Sequence, residues 1–134
     1  MKKIDCAYAA GIFDGEGCIH ITRNSRGSYA LIVTAANNNE WLVKWLQFAF
    51  GGYIGTHVST LSRRPCFQWQ LSANKAVEFL QAIMPYLRIK KPQAELAIQF
   101  QSKRNHCGIS STPEQNALNE ADRLLMRHLK KPWL

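Results

Sequence analysis

Long apolar runs are missing from this chain. Nowhere does it hold the roughly 18 consecutive apolar residues that a bilayer-spanning helix needs, so no membrane partner is expected. Close cysteine pairs are missing too. The four cysteines are Cys6, Cys18, Cys66 and Cys107, with no CxxC among them, which argues against a zinc knuckle or ribbon. His57 and His106 lie near Cys66 and Cys107, but one Cys with one His does not make a metal site, and reduced thiols are the expectation. The start, Met1-Lys2-Lys3-Ile4-Asp5, is basic with no apolar segment behind it. An intracellular location is therefore expected, with cytoplasm, nucleoid and organelle left open. Acidic residues are scarce: 9 Asp+Glu stand against 17 Lys+Arg in 134 residues, a formal net charge of +8. With 46% apolar and 19% charged residues, the chain is still no disordered basic tail. One domain spanning 1–134 is expected, long enough to bury roughly two-thirds of its unfolded surface. The excess positive charge favours a polyanionic partner, nucleic acid first. Charge alone separates neither DNA from RNA nor a binder from an enzyme.

What is present has a regular order. Asp5 is placed to cap a helix running to about Phe13, where Asp14-Gly15-Glu16-Gly17 breaks it. Cys18 to Arg23 alternates as a strand, Asn24-Ser25-Arg26-Gly27 is a turn, and Ser28 to Ala35 is a second strand. Asn37-Asn38-Asn39 offers caps for a helix from about Glu40 to Phe50, which Gly51-Gly52 ends. Tyr53 to Val58 and Cys66 to Leu71 are predicted as a third and a fourth strand. Helices follow over Asn74 to Tyr86 and from Pro92 to about Arg104. A last helix opens on Thr112-Pro113-Glu114-Gln115, a capping-box pattern, and stops before Pro132. The predicted order is α-β-β-α-β-β-α-α-α, with a core over about 5–104 and a C-terminal helix over about 113–130.

The strands are two-faced. In the fourth, Phe67, Trp69 and Leu71 point one way, and Cys66, Gln68 and Gln70 the other. In the first, Ile19 and Ile21 oppose Cys18, His20 and Thr22. Helices on the apolar side leave a polar, hydrogen-bonding face that suits a DNA major groove, where Gln pairs with adenine through two hydrogen bonds. A solvated outer face is the plainer alternative for the same residues.

The segment Ala9–Gly17 is the most informative. Ala7, Ala9, Ala10 and Gly11 leave little side chain to hold a second helix away. Two acids flanked by glycines follow. Carboxylates on the DNA side of a basic protein make sense when they hold a cation, and Mg²⁺ is held by one or two carboxylates with phosphate oxygens and water. A glycine-rich helix stop with solvated acids is again the plainer alternative. Ala9-Ala10-Gly11-Ile12-Phe13-Asp14-Gly15-Glu16-Gly17 resembles the LAGLIDADG motif of homing endonucleases. Ala10, Gly11, Asp14 and Gly17 match the consensus letters, and Ile12, Phe13, Gly15 and Glu16 are common substitutes. Ala9 is a smaller stand-in for Leu. Gly51-Gly52-Tyr53-Ile54 and Pro85-Tyr86-Leu87-Arg88-Ile89-Lys90-Lys91 extend the likeness over roughly residues 5–104.

This resemblance implies an α+β fold, αββαββα, with a four-stranded antiparallel saddle on double-stranded DNA. It implies an Mg²⁺-dependent endonuclease that makes a double-strand break. Single-motif members act as homodimers, which implies a near-palindromic site. Carried over by position, Glu16 matches the catalytic metal-binding acid, the Gly15 carbonyl an accompanying ligand, and Lys90 a basic residue near the scissile phosphate. Ala9, Ala10, Phe13 and Asp14 are expected at the dimer interface. Expected at the DNA are His20, Thr22, Asn24, Arg26, Ser28, Ile32, Thr34, Gly55, His57, Arg63, Arg64, Gln68 and Gln70. One departure stands out: where family members often carry a polar residue that orders water near the metal, this sequence has Ala35, with Ala36 and Asn37 beyond it. Two rivals remain open within the same fold: an intron-splicing maturase, whose partner would be RNA, and a non-cleaving DNA-binding protein.

Overall fold

The computed structural model describes residues 2–58, 60–61, 64–107 and 112–131. Its elements are α1 (Lys3–Glu16), β1 (Gly17–Arg23), β2 (Tyr29–Asn37), α2 (Glu40–Phe50), β3 (Tyr53–Val58), β4 (Pro65–Ser72), α3 (Ala73–Ile83), a 3-10 turn (Met84–Tyr86), α4 (Lys91–Cys107) and α5 (Pro113–Leu129). This is the order expected from the sequence. No helix among the described residues is long and apolar enough to cross a membrane. Local signals behave as their chemistry dictates. The Asn39 side chain caps α2 by accepting from Trp41 N at 3.0 Å, and Gly51 and Gly52 end it at φ values of 78° and 108° that glycine adopts freely. Thr112 and Gln115 form the reciprocal capping box of α5.

The first helix differs from the expectation in a way that matters. Asp5 is not its cap; the helix starts at Lys3, with Asp5 in the first turn, where a carboxylate faces the positive end of the helix dipole. The acidic segment does not break the helix either. Asp14, Gly15 and Glu16 are its last turn, and β1 begins at once with Gly17. Gly17 is required by packing: a Cβ there would run into the Phe13 ring.

The four strands form one antiparallel sheet in the order β1-β2-β4-β3. Alternation sends Ile19, Ile21, Leu31, Val33, Trp69 and Leu71 to one side, where all are buried against the helices. Phe79 of α3 centres an aromatic cluster there, edge-on to Phe13, Phe50 and Trp69 at 4.8–5.3 Å between ring centroids. The Trp69 indole donates to the Gly51 carbonyl at 2.7 Å, so the wholly buried ring leaves no polar atom unpaired.

As an edge strand, β1 would present an open ladder of backbone groups. Helix α5 runs beside it in the opposite direction. Near its middle, Glu120 accepts from the Tyr29 hydroxyl at 2.8 Å, across the ladder from Arg23. At its end, Lys130 reaches Cys18 at the start of β1. Arg123 grips Glu120 through Nε and Nη2. That grip, and then the Tyr29 hydroxyl, hold the Glu120 carboxyl at about 2, so the clamp is charged throughout the neutral range.

Candidate active site and nucleic-acid face

The register builds the polar face row by row. Cys18, Thr34, Gln70 and Tyr53 align across all four strands. Beside them run His20, Ile32 and Ser72, then Ala36, Gln68 and Gly55, and finally Cys66 with His57. The sheet thus brings together His20, Thr22, Ile32, Thr34, His57, Gln68 and Gln70, as alternation predicts, on the side away from the buried apolar residues. Thr34 is a correction to the expected contact set: it shares the face but is 7% exposed between Cys18 and Gln70, leaving little of it for a ligand.

Asn24, Arg26 and Ser28 occupy the β1–β2 turn and are exposed. The Asn24 side-chain carbonyl already accepts from the Arg26 and Ser28 amides, both at 2.9 Å, so only its amide group remains for a partner. Arg64 is exposed just before β4; Arg63 lies outside the described residues. Tyr53 belongs to this face and is missing from the sequence-based set. It pairs with Gln70 and is 69% exposed. Its signal was its parity with Gly55 and His57, obscured because an aromatic residue is ordinarily assigned to the core.

At the start of β1 the sheet meets the acidic end of α1. Glu16 is exposed and makes no hydrogen bond or ion pair with any described residue. Gly15 lies in the last helical turn, where carbonyls have no partner further along the helix. Lys90 is brought to the same place: its Nζ donates to the Asp14 carbonyl at 2.8 Å. No three His, Cys, Asp or Glu side chains converge among the described residues. The oxygen donors on offer are therefore the Glu16 carboxylate and the Gly15 carbonyl. Both are hard ligands of the kind Mg²⁺ takes alongside water and phosphate.

Asp14 has partners the sequence did not indicate. Its carboxylate accepts from three consecutive backbone amides of its own chain, Arg88, Ile89 and Lys90, at 2.9, 3.2 and 3.1 Å. It locks the segment that leads into α4 and so delivers Lys90, a role within its own chain that the sequence did not suggest. Asp14→Ala is expected to cost about 2 kcal/mol of stability, since hydrogen bonds to a charged group contribute ~1.5–3 kcal/mol. Urea unfolding measures this, and an unchanged midpoint would show that the lock is not needed.

Three of the predicted interface residues require a second correction. Ala9, Ala10 and Phe13 are 0%, 0% and 1% exposed inside their own protomer, so they face the sheet and α3 and cannot meet a second copy. The opposite side of α1 carries Ile4 and Tyr8, 75% and 48% exposed, with Ala7, Gly11 and Gly15 also exposed. These follow helical spacing and bear no charge. A Cβ added at Gly11 or Gly15 would meet nothing within 4 Å. Tyr8 is steadied edge-on by Trp45 of α2 at 5.0 Å.

Ala35 sits opposite Gly17 in the ladder, 3% exposed, and supplies no polar group. Asn37 accepts from the Asn39 amide at 2.8 Å in the turn into α2, which fixes its side chain there. Cys18 lies 3.9 Å from His20 Nδ1. Their hydrogen bond outweighs the effect of burial and, with the charges of His20 and Lys130, brings the thiol from 9.0 to about 7. Cys6 and Cys66 are also free thiols.

No family model and no curated protein matches the sequence. Solved structures do match. The homing endonuclease I-CvuI, in complex with its target in the presence of Ca, is similar with a TM-score of 0.78 and 18% identity, over 95% of this chain and 82% of that one. The archaeal intron-encoded homing endonuclease I-Vdi141I, complexed with DNA, gives a TM-score of 0.80 at 12% identity, over 100% and 89%. The LAGLIDADG homing endonuclease I-SmaMI, bound to cleaved DNA, gives 0.63 at 18%, over 97% of this chain but 44% of that one. The chain thus has the LAGLIDADG homing-endonuclease fold.

Proposed function

We propose that this protein is a homodimeric, Mg²⁺-dependent, site-specific DNA endonuclease that cuts both strands of a long, nearly palindromic site. One observation carries the reading. An exposed carboxylate with no ion pair among the described residues, Glu16, stands at the C-terminal end of a helix whose last turn also holds the Lys90 ammonium at the Asp14 carbonyl, at the margin of a polar sheet face. The helix dipole opposes a negative charge there by ~0.3–1 kcal/mol, and no described residue forms an ion pair with it. A bound cation would offset that cost.

Each part of the site has a task. Gln68, Gln70, His20, His57 and Tyr53 offer donors and acceptors to base edges, while Arg26 and Arg64 suit phosphates. Glu16 and the Gly15 carbonyl would hold the ion. When bound, the ion supplies activation of water and neutralisation of phosphate charge. Lys90 donates to the phosphate as negative charge develops on it, from a position fixed by Asp14. With Ala35 buried, the attacking water is ordered by other waters and by the phosphate. One chain supplies one such carboxylate, and a duplex has two strands to cut. The match to 44% of I-SmaMI, against most of I-CvuI and I-Vdi141I, fits a unit that works in pairs.

The test exposes the purified protein to duplexes of random sequence in Mg²⁺ and sequences the cut ends. Recovery of one dyad-related site, with cutting abolished by a chelator, is the expected result. Binding of one site without cutting in Mg²⁺ would replace this reading with the non-cleaving one. Preference for structured RNA over duplex would replace it with the maturase.

A further inference from the structure

Lys130, the residue that follows α5, is half-buried, and its one partner among the described residues is the Cys18 thiol, which it meets at 3.3 Å. A thiol is a weak acceptor, and an ammonium has three donors. Taking a charge partly out of water without a carboxylate beside it costs free energy. On the same helix, Glu120 is engaged by Arg123 and Asp122 by Lys103, and Glu114 lies in the first turn, at the far end from Lys130. The groove between α5 and β1, about 350 Å³, is lined by Arg123, Arg127, Lys130, Lys131 and His20 with no acidic side chain. Four cationic side chains thus line one groove, Arg123 among them being already committed to Glu120.

Its position is what gives it a role. Cys18 lies on the polar face, two residues after Glu16, so their Cα atoms are at most about 7.6 Å apart. Lys90 touches the carbonyl two residues before Glu16. The ammonium groups of Lys90 and Lys130, 40 positions apart in sequence, are thus each held at a residue two positions from Glu16, one before it and one after it.

We propose that Lys130 is a second catalytic cation, contacting the phosphate that is cut beside Glu16 from the side opposite Lys90. The helix that closes the edge of the sheet thereby also completes the active site. This rests on the endonuclease reading above. In it Lys130 forms no covalent bond; it stabilises charge on the phosphate oxygens as water adds to phosphorus and the P–O bond breaks.

The test uses the duplex recovered by the wild-type protein. Under single-turnover conditions in Mg²⁺, Lys130→Met is expected to cut about 100-fold more slowly, and Lys130→Arg to recover most of that loss. Binding in Ca²⁺ should change less than about threefold, and the melting temperature should not move. Lys75→Met, on the exposed side of α3, serves as the control at wild-type rate. Independently of cutting, duplex bound in Ca²⁺ should protect Lys130 and Lys90, but not Lys75, from acetylation read by mass spectrometry. Wild-type cutting by Lys130→Met, or an equal loss in binding and rate, would overturn the role of Lys130 while leaving the endonuclease reading intact. A wild-type protein that cuts no duplex would overturn both.

Discussion

Glu16→Gln is expected to lower cleavage by about 10³-fold or more while leaving the protein folded and bound to its site. The magnitude follows from the task assigned to the side chain. A carboxylate that holds the metal acts on both the attacking water and the leaving oxygen, and its loss removes the largest electrostatic term in phosphodiester hydrolysis. The fold is not at risk, because Glu16 is exposed and touches no described residue through a hydrogen bond or ion pair. Removing its charge even relieves the unfavourable interaction with the helix end, by ~0.3–1 kcal/mol. Affinity measured in Ca²⁺ should match or exceed that of the wild type, since one negative charge facing phosphates is gone. Three measurements settle it: single-turnover cutting in Mg²⁺, binding in Ca²⁺ and thermal unfolding. Cutting at the wild-type rate would dismiss Glu16 as the metal ligand and return the acidic turn to a solvated helix end.

Much of this architecture was written in periodicity. The strand pairs were legible because Ile19 and Ile21, and Trp69 and Leu71, alternate with polar residues, and period 2 admits one partition into faces. The caps at Asn39 and Thr112 were legible because capping is local chemistry. The helix carrying the acidic motif was harder. Its residues are small and apolar on nearly every side, so the sequence does not say which face turns inward. The structure decides it: Phe13 and Cys6 fix the buried side, Ala9 and Ala10 go with them, and Gly11 is left outside. The hold of Asp14 on its own chain was hidden for a related reason. Its partners, the amides of residues 88–90, are more than 70 positions away in sequence, and backbone donors carry no side-chain signature. Lys130 at Cys18 was equally hidden, because the two residues are 112 positions apart in sequence.

Gly11→Leu is the substitution expected to separate the protomer from its assembly. The space around Gly11 is empty within its own chain: an added Cβ meets nothing within 4 Å, and the same holds at Gly15. A leucine in mid-helix is also favoured over glycine by ~0.8 kcal/mol. If the protomer worked alone, this variant should be slightly more stable and fully active. The proposed dimer requires the reverse. Two α1 helices meeting along Ile4, Ala7, Tyr8, Gly11 and Gly15 approach closely because these glycines carry no side chain. A leucine at each Gly11 then wedges the pair apart. Overpacking costs ~1–3 kcal/mol per site, and two-fold symmetry places the substitution on both sides of the contact. A loss of about 3 kcal/mol corresponds to a dimer dissociation constant raised on the order of 100-fold. Sedimentation should show a monomer with normal unfolding, and double-strand cutting should fall away because the second carboxylate is no longer held on the partner strand. A dimer of unchanged affinity would place the protomer contact elsewhere than on this face of α1.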